Sequence, residues 1–433
     1  GPATRFDDKS FSGENAQAAA SARAKYMSRT SNIRTFKPVH ALVRDVEEFA
    51  AFGQPSTKTA TAVAGHQVPV FTNEFWTRKQ GAAHRLHEVS YRACFKPQLP
   101  RFFIERLSQP DDVVFDPFMG RGTTLLESAL LGRTPWGCDL NPLCAALVRP
   151  RLTPPTADAV DERLRTIRFD TEVEQAKSLH VFYHPATLRE ICALRHYLAA
   201  RRSDGDFDTV DGWIQMVALN RLTGHSAGFF SVYTLPPNQA VSLDSQRKIN
   251  LRLKQIPPRR EVPRLILAKT ASLLADSTEE QRIVLGSAGR GARVLTGDAE
   301  SAPALGDGSV ALVVTSPPFL NLVDYAADNW LRNWFLGLKA DSVPLAIHPN
   351  LSDWQAKMRR VFRELHRLIR PGGHVAFEVG EINARRVNLE DAVLPCGLEA
   401  GFEPVLLLIN RQHFTKTANC WGVANNNKGT NTN

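Results

Sequence analysis

The sequence contains few cysteines, and none of them is spaced for metal binding or redox chemistry. Six cysteines are spread over 433 residues without a C-x-x-C pair, namely Cys94, Cys138, Cys144, Cys192, Cys396 and Cys420. We therefore expect neither a disulfide scaffold nor a zinc site, and the composition suits a reducing compartment. His84 and His87 are three residues apart, but no third ligand accompanies them. A hydrogen-bonding or packing role is favoured for both, and we predict no metal site.

The sequence also lacks a recognisable signal peptide and any apolar run long enough to span a bilayer. We therefore expect a cytoplasmic protein without membrane partners, associated with the nucleoid if its source is prokaryotic. Acidic residues are the minority, because 44 Asp and Glu stand against 53 Lys and Arg, a formal net charge of +9. This excess favours an anionic partner such as nucleic acid, although charge alone does not identify one.

A short apolar strand that ends in two prolines is the first motif with chemical meaning. Residues 310–314 are apolar and mostly β-branched, which is typical of a buried parallel strand, and they lead into Ser316-Pro317-Pro318-Phe319. Neither proline can continue a strand ladder, because each lacks an N–H and has a fixed φ. In an open α/β sheet, ligands bind where the strands end. A Pro-rich turn without function is the alternative for this motif taken alone.

A second segment has the same order of buried strand, loop and helix start. The predicted strand at residues 111–116 leads into Asp116-Pro-Phe-Met-Gly-Arg-Gly-Thr-Thr124. Gly120 and Gly122 allow tight turning and a close approach of the backbone to a ligand. Thr123 and Thr124 can satisfy free N–H groups at the start of the following helix. The two motifs together indicate a ligand site much more strongly than either does alone.

These two motifs resemble those of S-adenosylmethionine-dependent DNA methyltransferases that modify exocyclic amino groups. The resemblance covers residues 95–142 and 294–411. It implies an α/β fold with a Rossmann-like, seven-stranded methyltransferase sheet, S-adenosylmethionine as cofactor and double-stranded DNA as partner. A catalytic tetrapeptide that begins with serine is usual for N4-cytosine enzymes, whereas N6-adenine enzymes more often begin with Asp or Asn. N6-adenine DNA methylation and RNA amino methylation therefore remain alternatives.

The resemblance also assigns site residues. The catalytic motif corresponds to Ser316, Pro317, Pro318 and Phe319. The residues implied in cofactor binding are Lys96, Pro97, Asp116, Pro117, Phe118, Gly120, Gly122, Thr123, Thr124, Asp139, Leu140, Asn141, Asp298 and Ala299. Asp139 follows the predicted second strand, about 20 positions after the glycine loop, where an acidic side chain accepts hydrogen bonds from ribose hydroxyls. Asp298 matches the position that meets the adenine end of the cofactor. A turn-forming role is the alternative for each of these two aspartates.

The implied chemistry needs positioning and hydrogen-bond acceptors rather than a covalent enzyme intermediate. The exocyclic amine of a base is a poor nucleophile because its lone pair is delocalised into the ring. Acceptors that draw on its N–H bonds localise that lone pair, and the Ser316 hydroxyl and the Pro317 carbonyl are suitable acceptors. Because the target atom is hidden in a duplex, the base must be flipped out. A cognate restriction enzyme is a further partner to expect, while oligomeric state and recognition sequence are not encoded in these motifs.

The chain departs from the resembled family between Asp139 and Asp298. The third strand would normally follow within a few tens of residues, but here its end comes roughly 160 residues later. Residues 151–290 therefore form a predicted insertion of domain size, mostly helical. Basic side chains interleaved with aromatic ones suit phosphate contact and base stacking. We predict nucleic-acid contacts here from Arg247, Lys248, Arg252, Arg259 and Arg260; a solvated insert that only packs on the core is the alternative.

Four segments result from this reading of the chain. Residues 1–70 are predicted to be a polar flexible arm, and 71–150 the first part of the methyltransferase core with the cofactor loop. Residues 151–290 are predicted to be an inserted, mainly helical target-recognition region, and 291–433 the second part of the core with the catalytic motif. Pro395-Cys396 looks like the nucleophile motif of C5-cytosine enzymes, but its position in a late predicted helix favours a structural cysteine.

Overall fold

The structure is a computed structural model that describes residues 39–77, 80, 83–92, 94–234, 240–318, 325–338, 350–379, 389–415 and 428–432. The strands in these ranges are β1 (Thr57–Val63), β2 (His66–Asn73), β3 (Val113–Asp116), β4 (Thr134–Asp139), β5 (Arg293–Thr296), β6 (Val310–Thr315), β7 (Ile369–Phe377), β8 (Leu407–Thr415) and β9 (Lys428–Thr432). The first six helices are α1 (Val39–Glu47), α2 (Gln98–Leu107), α3 (Thr123–Leu130), α4 (Pro142–Leu152), α5 (Ala157–Thr166) and α6 (Pro185–Ser203). The later ones are α7 (Thr209–Leu219), α8 (Leu243–Leu253), α9 (Val262–Leu274), α10 (Glu279–Gly291), α11 (Tyr325–Leu336), α12 (Leu351–Leu368) and α13 (Leu389–Ala400). Two short 3₁₀ helices span Arg85–His87 and Lys177–Val181.

A parallel sheet with the strand order β5-β4-β3-β6-β7 forms the centre of the fold. From β3 the chain first builds outward through β4 and β5, and it then returns to place β6 on the other side of β3. The strand order therefore reverses between β3 and β6, which is where open α/β sheets bind ligands. The predicted Rossmann-like α/β class is confirmed. Among the described residues this sheet has five strands rather than the expected seven, because the remaining strands form a separate sheet.

The central strands are apolar throughout because both faces of the sheet are covered. On one face, Phe115 of β3 and Val313 of β6 pack in a cluster with Phe362 of α12. On the other face, Val114 and Leu312 join a cluster that contains residues of α1, α2 and β2. Successive side chains of a strand point to opposite faces, so a doubly covered strand needs apolar residues at every position. This is the physical basis of the apolar run that predicted β6.

The second sheet has the order β1-β2-β8-β9 and brings the two ends of the described chain together. β1 and β2 form an antiparallel hairpin, and β2 pairs in parallel with β8. Leu42 and Val46 of α1 are buried in the same apolar cluster as Phe71 of β2. The prediction of a flexible arm over residues 1–70 is therefore wrong from Val39 onward, because these residues have a buried face. Residues 1–38 lie outside the described residues.

The stretch between β4 and β5, which includes the predicted insertion, is helical, and its apolar core is continuous with that of the glycine-loop half of the sheet. One cluster of buried residues joins Leu125 and Leu126 of α3 to Leu188 of α6 and Trp213 of α7. At its far end the insertion returns to the sheet, where the indole of Trp136 in β4 donates a 3.0 Å hydrogen bond to the Gly291 carbonyl. The inserted helices thus pack as part of the layer that covers α3 and α4.

Asn410 in β8 makes a buried polar contact between the two ends of the described chain, and its substitution tests whether this contact stabilises the fold. Its side-chain oxygen accepts hydrogen bonds from the backbone N–H groups of Phe75 at 2.8 Å and Trp76 at 3.2 Å. Asn410→Leu leaves these donors unsatisfied in the interior, so we expect the free energy of unfolding to fall by about 2 kcal/mol. Urea denaturation measures this change. Arg411→Ala, at the exposed neighbouring position, should stay within about 0.5 kcal/mol; an equal effect of both variants would contradict the assignment.

Candidate active site

The loop that follows β3 turns on two glycines in left-handed backbone conformations. Gly120 has a φ of +48° and Gly122 a φ of +75°. A Cβ atom on Gly122 would lie 2.5 Å from Cγ2 of Val148, so both conformation and space require glycine there. Gly122 is also the residue that caps α3, and no side chain caps that helix start. The loop can therefore present backbone N–H groups to a ligand at the N-terminus of α3.

The threonines of the loop act differently from the prediction. Thr124 does not satisfy an N–H group at the helix start; instead its hydroxyl donates a 3.0 Å hydrogen bond to the carbonyl of Val314 in β6. The Thr123 hydroxyl accepts a 3.3 Å hydrogen bond from Arg121. Both threonines are buried. The prediction of a capping role was wrong, because the first turn of α3 packs beside β6 and the Thr124 hydroxyl bonds to that strand instead of to the helix start.

Asp139 joins the end of β4 to the glycine loop. Its carboxylate accepts hydrogen bonds from the backbone N–H groups of Gly120 at 3.0 Å and Asn141 at 2.9 Å. Burial raises the pKa of the Asp139 carboxyl, and these two N–H groups oppose that rise. Each carboxylate oxygen still has a lone pair that can accept from a ligand hydroxyl. The loop geometry and the second-strand acidic residue thus come together at one edge of the sheet.

A buried and unsatisfied amide lies next to Asp139. The side chain of Asn141 caps α4 by accepting a 3.0 Å hydrogen bond from the Leu143 N–H, while its amide nitrogen has no hydrogen-bond partner among the described residues. A buried donor without a partner is costly unless a ligand completes it. This orphaned amide, the left-handed glycines and the Asp139 carboxylate fit a ligand with ribose and amino-acid groups, as S-adenosylmethionine has.

The back of the glycine loop is held by two arginines that the sequence reasoning did not single out. Arg121, between the two glycines, donates to the Val89 carbonyl at 2.9 Å, away from the front of the loop. Arg151 of α4 is only 1% exposed and donates to the carbonyls of Leu86, at 3.1 Å, and of Arg121. Burial lowers the pKa of Arg151 to about 9. A buried arginine that binds only carbonyls has no local sequence signal, because its acceptors come from distant segments.

His87 has the hydrogen-bonding role predicted for it. Its Nε2 lies 2.7 Å from a carboxylate oxygen of Glu127 in α3, and both residues are buried. Arg101 of α2 donates to the other Glu127 oxygen at 2.9 Å. The contact ties the segment before α2 to the helix that follows the glycine loop. Lys96 and Pro97, the other predicted cofactor contacts in this region, lie at the start of α2.

The glycine loop and the catalytic motif are joined by a buried hydrogen bond. The hydroxyl of Thr315, the last residue of β6, donates to a carboxylate oxygen of Asp116, the last residue of β3, at 2.6 Å. The same oxygen accepts from the Phe118 N–H at 3.0 Å. Burial raises the pKa of Asp116 to about 7, against the effect of these hydrogen bonds. Ser316 follows Thr315 directly, so the structure brings the two predicted motifs side by side.

The described part of the predicted catalytic motif, residues 316–318, has two fixed contacts. Ser316 is half-buried, and its side chain is hydrogen-bonded to the carboxylate of Glu378. The carbonyl of Pro318 accepts a 2.9 Å hydrogen bond from the indole of Trp354, a fully buried residue of α12. Phe319 lies outside the described residues. The motif is therefore held both at its serine and at its second proline.

Glu378 is a site residue that the sequence reasoning missed. It follows β7 at the same sheet edge, and its backbone N–H donates a 2.8 Å hydrogen bond to the Thr315 carbonyl. Burial raises the pKa of the Glu378 carboxyl to about 7, and the hydrogen bond from Ser316 opposes that rise. An acidic residue directly after an apolar strand, at the end where ligands bind, was the signal available in the sequence.

Asp298 lies at this sheet edge but its carboxylate is already paired. Gly297, just before it, donates its N–H to the Asp139 carbonyl at 3.0 Å, so the ends of β4 and β5 are adjacent. The ammonium group of Lys357 lies 2.5 Å from both carboxylate oxygens of Asp298. Ala299 is buried. If Asp298 accepts hydrogen bonds from a ligand, it must therefore do so through carboxylate lone pairs that are not bonded to Lys357.

The basic residues predicted to contact nucleic acid fall into three groups. Arg247 and Arg259 are paired with Asp244 and Glu190, each at 2.5 Å. Lys248 and Arg252 are exposed on α8 and have no acidic partner among the described residues. The remaining one, Arg260, is half-buried and lines an open cavity of about 290 Å³ in the insertion.

Comparison with known proteins supports the class that this site defines. Residues 38–148 match the family model for DNA methylases of the N6/N4 type, which covers about a quarter of the chain, including the glycine loop and Asp139. This match supports a DNA amino-methyltransferase.

Two curated relatives are named as type II methyltransferases. The chain is 28% identical over 143 residues to the type II methyltransferase M.MvaI of Kocuria varians, which covers 32% of this chain and 27% of the relative. It is 35% identical over 69 residues to the type II methyltransferase M.MjaII of Methanocaldococcus jannaschii, which covers 16% of this chain and 13% of the relative. The chain thus spans about a quarter, or less, of the length of these relatives.

Two further expectations concern membranes and Cys396. No helix within the described ranges is long and apolar enough to cross a membrane. Cys396 is buried within α13, where its thiol donates to the Ala392 carbonyl at 3.3 Å. Burial raises the pKa of this thiol to about 11, which suits the structural role predicted for it rather than that of a nucleophile.

Asp116 should make the stability of the protein depend on pH. Its carboxyl has a pKa of about 7 in the folded chain against 3.8 as the ordinary value. The unfolded chain therefore releases this proton at lower pH, so the wild type should lose stability relative to Asp116→Asn as pH rises from about 4 to 7. The loss is at most about 1.4 kcal/mol per pH unit and ends above pH 7. Urea denaturation of both proteins from pH 5 to 8 measures the difference.

The surface variant Asp170→Asn is the control, because this carboxylate is 80% exposed. Its stability relative to the wild type should stay within about 0.5 kcal/mol at every pH. A constant difference between wild type and Asp116→Asn across the range would show that Asp116 is ionised throughout.

Proposed function

We propose that this protein is a DNA methyltransferase that transfers a methyl group from S-adenosylmethionine to the exocyclic N4 of cytosine in a specific duplex sequence. The observation that carries the proposal is the 2.6 Å hydrogen bond from Thr315 to Asp116, because it holds the glycine loop and the serine motif at one crevice. The match to N6/N4-type DNA methylases supports the class of reaction. N6-adenine methylation of DNA and amino methylation of RNA are the alternatives.

The cofactor side of the crevice has a consistent set of donors and acceptors. S-adenosylmethionine, when bound, supplies an electrophilic methyl group on a sulfonium centre. Asp139 is the proposed acceptor for its ribose hydroxyls, and the orphaned amide of Asn141 is a donor beside them. Backbone N–H groups near Gly120 and Gly122 suit the carboxylate of its amino-acid end. Asp298 and Ala299 are proposed for the adenine end, with Asp298 held by Lys357.

The substrate side is built to increase the nucleophilicity of an amine. The amine nitrogen takes the methyl group while the carbon–sulfur bond breaks, with its electron pair left on sulfur, and the nitrogen then loses one proton. Ser316 and the Pro317 carbonyl are proposed acceptors for the two amine N–H groups. Because Glu378 accepts a hydrogen bond from Ser316, it makes the serine oxygen a stronger acceptor. Glu378, with its pKa near 7, is also the proposed final acceptor of the released proton.

Three finer features belong to the same proposal. Serine at the first motif position favours N4 of cytosine, whereas an adenine enzyme more often has Asp or Asn there. The target base must leave the helix to reach Ser316, so base flipping is part of the mechanism. The two relatives named as type II methyltransferases support a place in a restriction–modification system, with a cognate restriction enzyme as partner.

Ser316 gives the direct test of reaction and product. Incubation with unmethylated plasmid DNA and labelled S-adenosylmethionine, followed by nucleoside mass spectrometry, should yield N4-methylcytosine. Ser316→Ala removes one acceptor, so we expect the turnover rate to fall by about 100-fold. Cofactor affinity, measured by calorimetry, should change by less than threefold, because the serine contacts the base.

The alternative products separate the alternative functions. N6-methyladenine in the DNA would select the adenine enzyme, and label that enters structured RNA but not duplex DNA would select the RNA enzyme. C5-methylcytosine would falsify the whole class, because that chemistry needs a cysteine nucleophile. Unchanged turnover of Ser316→Ala would remove the serine from the mechanism.

Glu378 should leave a signature in the pH dependence of the reaction. If its carboxylate accepts the released proton, the wild-type turnover rate rises with pH up to about 7 and then levels off. Glu378→Gln keeps the size of the side chain but has no titration, so turnover should fall by about 10- to 100-fold and the rise near pH 7 should vanish. Rapid-quench measurements at saturating cofactor from pH 5.5 to 9 give both results.

Asp116→Asn is the matched control, because Asp116 also has a pKa near 7 but does not face the amine in this mechanism. It should keep the rise in turnover near pH 7. If the rise in turnover near pH 7 persists in Glu378→Gln and disappears in Asp116→Asn, the titrating group is Asp116 and our assignment to Glu378 is wrong.

A further inference from the structure

Helix α8 and the residues just after it carry the two most exposed large apolar side chains of the described surface. Leu251, in the helix, is 79% exposed, and Ile256, just beyond its end, is 86% exposed. Leu253 adds a third at 46%. Single exposed apolar residues are common on soluble proteins, but three within six positions indicate a surface that a binding partner would cover, and we call these three residues the apolar patch. The patch lies within the inserted region and is not explained by the packing of the core.

The same helix surrounds this apolar patch with cations. Arg247, Lys248, Arg252 and Lys254 are all exposed. Arg247 pairs with Asp244 of its own helix, but the other three have no acidic partner in the described part of the chain. We refer to the three exposed apolar residues and these four basic residues as the α8 ridge. Its unneutralised cations favour a polyanion as the partner that covers it.

The ridge is held rigidly from behind by a network of amides. Gln246, the buried residue of α8, donates to the Tyr233 carbonyl at 3.0 Å, and Gln255 donates to the same carbonyl at 2.9 Å. Both side chains also donate to Asn250, which in turn donates to the Val181 carbonyl at 2.8 Å. A loose surface helix has no need of such buried polar contacts. The network fixes Leu251 and Ile256 relative to the rest of the insertion.

The segment that leads into the ridge contacts the helix that follows the catalytic motif. The indole of Trp330 in α11 donates to the carbonyl of Ala240 at 3.0 Å, and the Ala240 N–H donates to the Asp328 carbonyl at 3.4 Å. Helix α8 begins three residues later, at Leu243. The ridge is thus anchored, through Ala240, to the helix that follows the predicted serine motif in the chain.

We propose that the α8 ridge is a wedge for duplex DNA: Leu251 and Ile256 enter between base pairs while the surrounding cations bind phosphates. This inference rests on the proposed function and adds a second contact with the DNA. When apolar side chains partly unstack a base step, the free-energy cost of unstacking is offset by the wider contacts that the bent duplex makes with the protein. Unstacking is also the main cost of extruding a base, so a wedge lowers the barrier to flipping the target.

A second copy of this chain is the competing occupant of the ridge, and its charge argues against it. A two-fold interface through α8 would bring two sets of the same cations face to face, and like charges across an interface are unfavourable. A duplex instead supplies phosphates next to an apolar stack of bases. The ridge therefore matches DNA in both of its parts.

The test separates the apolar part of the ridge from its charged part. Leu251→Ala/Ile256→Ala should lower methyl transfer into unmethylated plasmid DNA by about tenfold while leaving the salt dependence of binding unchanged. Lys248→Ala/Arg252→Ala should weaken binding to a 30-base-pair fragment of that plasmid and reduce the slope of log affinity against log salt by about 2. Fluorescence anisotropy gives the binding data, and label incorporation gives the transfer rate.

Matched surface variants provide the controls. Phe52→Ala removes an exposed apolar side chain far from α8 in sequence, and Arg168→Ala removes an exposed cation; both should behave as the wild type. Because the four substituted ridge positions are exposed, the midpoint of thermal unfolding should not change. If the midpoint of Leu251→Ala/Ile256→Ala is lowered, Leu251→Ser/Ile256→Ser repeats the test.

Each outcome decides a different claim. If the wild type methylates DNA but Leu251→Ala/Ile256→Ala transfers as fast as Phe52→Ala, the wedge is wrong and the proposed function stands. If the apolar variant instead changes the sedimentation of the protein from dimer to monomer, the ridge is an interface between copies. If the wild type methylates no nucleic acid, the proposed function fails, and the salt slopes alone then show whether the ridge binds duplex DNA.

Discussion

The hydrogen bond between Thr315 and Asp116 is the contact on which the site depends. β3 and β6 are the strands between which the sheet reverses its order, so the loops after them part and leave a crevice. The bond ties the last residues of these two strands together at 2.6 Å in the interior, where water does not compete. A carboxyl with a pKa of about 7 is partly protonated at neutral pH, so little charge is buried there. The bond thus fixes the ends of the two strands that carry the glycine loop and the serine motif relative to each other.

The helices between β4 and β5 pack with the glycine loop and its helix as one rigid part of the fold. They share an apolar cluster with α3. Arg151 of α4 donates hydrogen bonds to the carbonyl of Leu86, behind the glycine loop, and to the carbonyl of Arg121, within the loop. A buried arginine that lost its carbonyl partners would lower the stability of the fold. The glycine loop and the segment at residues 84–92 must therefore keep their positions relative to α4. An insertion that also contacts DNA, as proposed, would therefore act on the cofactor side of the crevice through packed helices rather than through a flexible hinge.

Local patterns predicted the elements that carry the site, and they failed where contacts come from far along the chain. The β-branched run that ends at Thr315 and the glycine turn after Asp116 required nothing beyond strand and turn preferences, and both motifs meet as expected. The folded hairpin before residue 74 was missed, because its second strand, β2, pairs with β8, more than 330 residues later. Glu378 was missed for a similar reason, since its role depends on Ser316, which directly follows the neighbouring strand β6.

Four acidic residues lie at this edge of the sheet, and each is compensated by a different means. Asp116 is bonded to a hydroxyl, Asp139 to two backbone N–H groups and Asp298 to the Lys357 ammonium group, while Glu378 accepts from Ser316. Four bare carboxylates in one crevice would repel each other and destabilise the fold. Local compensation reduces that repulsion, while each carboxylate keeps lone pairs that can accept further hydrogen bonds. This suits a ligand that carries a positive sulfonium and several hydroxyl and amino groups. This edge of the sheet can therefore offer enough polar groups to bind such a ligand without a concentration of negative charge that would destabilise the fold.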